Sequence, residues 1–186
     1  MNFIRPHNKT FIRNWGSFLF ALSFTLLIAS CGTTKHLSKS EIQTIARASV
    51  RLGIDIDRKD NHRLMVEASQ WLGVPYRYGG TTRNGVDCSG LTCNIYKNVF
   101  NIQLVHSSQR QLNENVKKKV KKGRLQQGDL VFFSPKRSKR KINHVGIYLK
   151  DGKFIHSSSS RGVKVDLLDD DYWKNQWVIA GRVTNL

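Results

Sequence analysis

The hydrophobic period of this 186-residue chain changes partway along, and no other feature limits the fold as much. In the first part, apolar residues recur at three- and four-residue intervals, the spacing that lines one face of a helix. Such segments are 41–52 (Ile42, Ile45, Ala46 and Val50, with Ser40 as N-cap) and 61–72 (Leu64, Met65, Ala68, Trp71 and Leu72). Gly73 and Pro75 stop the second. Residues 88–100 follow, with Leu91, Ile95, Tyr96 and Val99 inward, and then a short segment at 107–115. Beyond it the period becomes that of strands: 129–133, 144–149, 153–156, 163–165 and 177–183. Asp151-Gly152 between two of these blocks is a hairpin signal. Helices first and consecutive strands after predict an α+β domain with an antiparallel sheet. The length suits one domain with one core.

The N-terminus is read apart from this fold. Arg5, Lys9 and Arg13 form a basic region ahead of an apolar stretch at 15–29, too short to span a bilayer comfortably. It ends in Ile28-Ala29-Ser30-Cys31, which resembles a bacterial lipobox. That resemblance implies a lipoprotein signal peptide at 1–30, lipidation of Cys31, a polar tether at 31–40 and a folded domain at 41–186. Several acyl chains on one cysteine anchor a protein stably. Gly32 stands where an aspartate would signal inner-membrane retention, so the expected location is the outer membrane, facing the periplasm.

With Cys31 acylated, Cys88 and Cys93 remain. On a helix they are separated by roughly 500° of rotation and point apart, poorly placed for a disulfide. Cys93 reads as a small buried apolar residue. Cys88 is different. It follows Tyr76-Arg77-Tyr78-Gly79-Gly80 and lies within Asp87-Cys88-Ser89-Gly90, at the first turn of a helix. Unsatisfied N–H groups and the positive helix end favour its thiolate. His144 and His156 flank the Asp151-Gly152 turn. Parity alone does not settle whether both rings share one face of adjacent strands. If they do, and that face packs against the start of the Cys88 helix, His144 is a general base paired with the Cys88 thiolate. His156 then orients His144. Tyr76 and the Cys88 N–H are candidate donors to an oxyanion.

The net charge is +18, and only three of the basic residues lie ahead of Cys31. The clusters at 117–122 and 136–141 read as solvated loops or as surfaces for anionic envelope polymers. No aromatic residue interleaves them, which argues against nucleic acid. A zinc site is disfavoured because Cys88 and Cys93 diverge and no His-Glu-x-x-His is present. No metal or other cofactor is expected.

As a set, 71–80 (Trp-Leu-Gly-Val-Pro-Tyr-Arg-Tyr-Gly-Gly), 87–90 (Asp-Cys-Ser-Gly), 128–133 (Gly-Asp-Leu-Val-Phe-Phe), 144–148 (His-Val-Gly-Ile-Tyr) and 153–156 (Lys-Phe-Ile-His) closely resemble the NlpC family of papain-like cell-wall cysteine peptidases. The resemblance spans 64–183. It implies N-terminal helices on an antiparallel sheet of about five to six strands. It implies Cys88 as nucleophile, His144 as base, His156 as third residue and Tyr76 beside the thiol. Asp87 and Ser89 would contact the amino terminus of the stem peptide. The implied substrate is peptidoglycan, cut at the γ-D-glutamate–diamino acid bond or at the D-alanine–diamino acid cross-link, by a monomer. One segment departs. Relatives often carry arginine before a Ser/Thr pair where this chain has His106 before Ser107-Ser108. Two rival readings remain: a non-catalytic wall-binding lipoprotein, and an N-acetylmuramoyl-L-alanine amidase.

Overall fold

The computed structural model describes residues 37–135 and 141–183. The leader, Cys31 and residues 136–140 of the basic insert lie outside the described residues.

Helix α1 (Lys39–Leu52) begins earlier than the apolar spacing suggests. Its N-cap is Ser38, not Ser40. The Ser38 hydroxyl accepts from the Glu41 N–H at 3.2 Å, and the Glu41 carboxylate accepts from the Ser38 N–H at 2.8 Å, a reciprocal capping box. The expected tether therefore gives way to helix before residue 40. Asn61 caps α2 (His62–Trp71) by accepting from the Leu64 N–H at 3.0 Å. A small hairpin of β1 (Thr81–Thr82) and β2 (Gly85–Val86) leads into α3 (Cys88–Phe100). The short α4 (Ser108–Arg110) continues as one π-helical turn, Gln111–Asn115.

Six strands follow: β3 (Lys118–Val120), β4 (Leu130–Phe133), β5 (His144–Lys150), β6 (Lys153–Ser158), β7 (Gly162–Leu167) and β8 (Trp177–Arg182). They form one antiparallel sheet in the order β3-β8-β4-β5-β6-β7. Helix α5 (Asp171–Gln176) sits between β7 and β8 in the chain. The sheet is buried on both faces. Leu64, Met65, Trp71, Leu91 and Ile95 of the helices join Phe132, Val145, Ile147 and Ile155 in the main core. Val131, Phe133, Phe154, Trp173 and Ala180 make a second cluster. Strands buried on both faces read as continuous apolar runs, which is why Leu130-Val-Phe-Phe133 shows no alternation.

Two elements depart from expectation. Part of the basic run at 117–122 is not loop: β3 pairs with β8 at the sheet edge, burying Val120 and leaving Lys118 and Lys119 exposed. Lysines on an edge strand discourage pairing with a further chain. Helix α5 is too short to carry a readable period. One ion pair ties β8 to the start of β4. Asp129, fully buried, accepts from Arg182 Nε at 2.7 Å and Nη2 at 2.8 Å. Beside it the Tyr96 hydroxyl donates to the Gly128 carbonyl at 2.5 Å, joining α3 to the sheet.

Candidate active site

The site is built from the start of α3 and the β5–β6 hairpin. Asp87 caps α3, its carboxylate accepting from the Gly90 N–H at 2.6 Å and the Ser89 hydroxyl at 3.0 Å. It also accepts from the Gly79 N–H at 3.0 Å, which holds the Gly79-Gly80 turn against the helix start. His106 Nε2 lies 3.0 and 3.1 Å from the two Asp87 oxygens. The residue that departs from the expected arginine thus remains in contact with the acid that caps the helix. Gly90 has no room for a side chain, because a methyl there would strike the Gly80 carbonyl and lie 3.2 Å from His106 Nε2. Ser157 Oγ donates to the Val86 carbonyl at 2.8 Å and fastens β6 to the residues just before Cys88.

The hairpin turn is tight. Asp151 and Gly152 have φ of 51° and 74°, the left-handed pair of a type I′ turn. A two-residue turn pairing Lys150 with Lys153, continued regularly, would set His144 and His156 on opposite faces. A register shift between Tyr148 and Lys150 prevents this: Ile147 pairs with Ile155, and Tyr148 with Phe154. The β-bulge puts both histidines on one face. In that register Gly146 lies opposite His156, and its missing side chain leaves space for the ring to cross toward His144.

His144 Nε2 and His156 Nδ1 are 2.9 Å apart, with the rings edge-on at 80°. They share the face of Phe133, Phe154 and Trp173, not the face on which the α3 side chains pack. This corrects the expectation that the histidine face itself packs on the helix. Thiol and imidazoles line one cavity at the start of β5, beside the start of α3. Tyr76, Cys88, His144 and His156 line one cavity of about 620 Å³.

His156 is 1% exposed and also meets Asp166, its Nε2 donating to Oδ2 at 3.0 Å. Trp173 stacks on His144 at 5.4 Å between centroids and donates its indole N–H to Asp166 at 3.0 Å. Asp166 and Trp173 are not legible from spacing: one lies just past the strand read at 163–165, and the other on the unforeseen α5.

Two effects act on the charge state in opposite directions. A helix N-terminus offers an anion about 0.3–1 kcal/mol, less than the 1.36 kcal/mol of a single pKa unit. Full burial works the other way and shifts a group by up to 3–5 units. Burial pushes the Cys88 thiol up to about 11, and Asp87 adds to the rise, against lowering contacts with the backbone of Val145, Ser89 and Cys88. Burial also pushes His144 and His156 below the ordinary histidine value. Burial therefore favours a neutral thiol and neutral imidazoles and opposes the ion pair that the helix start favours. Burial, then Cys88 and Asp87, raise the Tyr76 phenol, so its hydroxyl keeps its proton and can donate.

Cys93 is a free, half-buried thiol on α3, raised to about 11 by burial, with its sulfur directed at the Leu104 carbonyl. Ser89 is buried against Asp87, and its carbonyl accepts from Thr92 and Gln111.

A thiol at a helix N-terminus, served by a histidine pair on an antiparallel sheet, defines a cysteine peptidase of papain-like architecture. Residues 73–182 match the sequence model of the NlpC/P60 family. The chain belongs to the NlpC/P60 family. It is 38% identical over 115 residues to the probable endopeptidase NlpC homolog of Haemophilus influenzae, covering 62% of this chain and 58% of that protein. It is 33% identical over 159 residues to the murein DD-endopeptidase MepS/murein LD-carboxypeptidase of Escherichia coli, covering 86% of this chain and 77% of that one. A solved NlpC/P60 family protein from Bacillus cereus aligns with a TM-score of 0.61 at 35% identity, over 69% of this chain and 42% of that chain.

Proposed function

We propose that this chain is a peptidoglycan endopeptidase that cuts stem peptides or their cross-links by thiol catalysis. The observation that carries the reading is the single cavity shared by Cys88, Tyr76, His144 and His156. Because burial favours a neutral resting pair, the sulfur attacks the scissile carbonyl as its proton passes to His144. The Cys88 N–H and the Tyr76 hydroxyl stabilise the oxyanion. His144 then protonates the leaving amine, and water hydrolyses the thioester. His156 holds His144 in orientation.

Asp87 and Ser89 serve the amino-terminal end of the peptide. In the free site both Asp87 oxygens are engaged, so a substrate ammonium enters by displacing His106. Relatives named murein DD-endopeptidase support the D-alanine–diamino acid cross-link as the bond cut. The lipobox supports an anchor at Cys31, and Gly32 after it supports an outer-membrane location facing the periplasm.

Digestion of purified muropeptides tests the reading, with fragments identified by mass. Wild-type protein releases shortened stem peptides or monomers, and Cys88→Ala releases none. Cleavage between sugar and peptide would establish the amidase instead. Binding without products would establish the non-catalytic rival.

A further inference from the structure

The His144–His156 pair does not end at His156. Its far nitrogen meets Asp166 on the neighbouring strand, where His156 pairs with Lys164 and Asp166 sits two residues on, the diagonal position. The carboxylate is satisfied all round: Lys164 Nζ pairs with Oδ1, while Trp173 Nε1 and His156 Nε2 donate to Oδ2. Arg161 and Asp170 are the other charged groups lining the cavity. These contacts hold Asp166 well below the usual carboxylate range despite burial, so it is ionised and can only accept.

An acceptor-only group at one end sets the direction of every hydrogen bond behind it. His156 must carry its proton on Nε2 to donate to Asp166. Its Nδ1 then offers a lone pair, which only an Nε2–H of His144 can fill at 2.9 Å. That leaves His144 Nδ1 unprotonated, the one nitrogen of the pair able to take a proton in the cavity that holds Cys88. With no anion at 166 the relay can reverse. His156 then donates from Nδ1, His144 carries its proton on Nδ1, and the base is blocked.

We propose that Asp166 is a fourth member of the catalytic relay, a positioning residue that fixes the tautomer of His156 and, through it, of His144. The assignment rests on the reading of Cys88 as nucleophile and His144 as base. When His144 accepts the thiol proton, its new positive charge stays on His144 and is stabilised by the Asp166 carboxylate through the two intervening hydrogen bonds, without a further proton transfer.

Asp166→Asn is the informative change. An amide has one oxygen where Lys164 and His156 each have an oxygen now. The lysine's charge-assisted bond draws that oxygen toward it and turns the NH₂ toward His156, at the expense of the acceptor that the Trp173 N–H now uses. The relay is then driven in the wrong direction. Loss of a carboxylate that sets a functional histidine's tautomer costs about 10–100-fold when it acts from an outer position.

The test is carried out on the full chain labelled with ¹⁵N-histidine. Tautomers are read by long-range ¹H–¹⁵N correlation, and turnover is measured on muropeptides. Wild type should show Nε2–H on both histidines. Asp166→Asn should move the His144 proton to Nδ1 and lower kcat about 10–100-fold, with KM within about twofold. A wild-type His144 protonated on Nδ1 overturns the inference even if the variant fails to fold. So does a folded Asp166→Asn protein with unchanged tautomers and kcat. Cys88→Ala run in parallel separates the two levels: if it is inactive while Asp166→Asn equals wild type, only the relay inference fails. If Cys88→Ala stays active, the reading of the site itself fails.

Discussion

Gly146→Ala tests the link between sheet packing and the histidine pair. A methyl at this position would lie 2.7 Å from the Ile155 carbonyl oxygen, 2.7 Å from Phe154 Cδ2 and 3.2 Å from His156 Cβ. None of the three can yield easily. The carbonyl belongs to a central strand, and Phe154 is fully buried, with ring centroids 5.1 Å from Phe133, His156 and Trp173. Overpacking of this kind costs about 1–3 kcal/mol. Restricting the unfolded chain by Gly→Ala returns about 0.4–1 kcal/mol. The net loss is then about 1–2 kcal/mol, or roughly 2–8 °C in Tm for a domain of this size. Turnover should also fall, because His156 must give by a few tenths of an ångström and its neighbours by more, though by less than the roughly 100-fold that a 1 Å misplacement costs. Thermal unfolding and muropeptide turnover measure the two effects. Gly123→Ala is the control: nothing lies within 4 Å of the added methyl, so stability and turnover should match wild type. A Gly146→Ala protein as stable and as active as wild type would refute the argument that this glycine makes room for the relay.

Two further outcomes follow from the charge states. Burial lowers the folded pKa of His144 and His156, so the unfolded chain binds more protons between those values and about 6.5; their contribution to stability is full above about pH 6.5 and is lost as pH falls. His144, pushed down to about 3, accounts for about 2 kcal/mol of loss by about pH 5, His156 adds in the same direction, and urea unfolding of His144→Gln should show a correspondingly shallower acid decline; equal declines in both proteins would contradict the burial argument. In a Cys93→Ser background, iodoacetamide should modify Cys88 about tenfold faster per pH unit, without levelling off before the thiol titrates near 11; a plateau below about pH 8 would mean a resting thiolate–imidazolium pair.

Much of the site was legible because it rests on local chemistry. Cys88 at the first turn of a helix, and glycines before it, are features of a few adjacent residues, and they appear where the pattern places them; the Asp87 cap emerges only in the structure. The expected thiolate weighs the helix end, a local effect, and leaves out burial, a property of the folded chain that pushes the other way. Val50 shows the same limit in the fold: it keeps the helical spacing of α1 yet is 83% exposed among the described residues. The edge strand β3 was hidden because lysines at its exposed positions read as a solvated run.

The sequence by itself determined the change from helices to strands, the helix that carries Cys88 and the two histidines around one turn. These follow from periods and caps that act within a few residues. Tertiary structure decided how those groups face one another. One extra residue in β5 moves His144 and His156 onto a common face, because side chains alternate along a strand and a single-residue slip inverts them. The pairing of β6 with β7 brings Asp166 to His156, and α5 folds back to lay Trp173 on His144. Register and burial depend on the whole sheet, so the direction of the proton relay is set there.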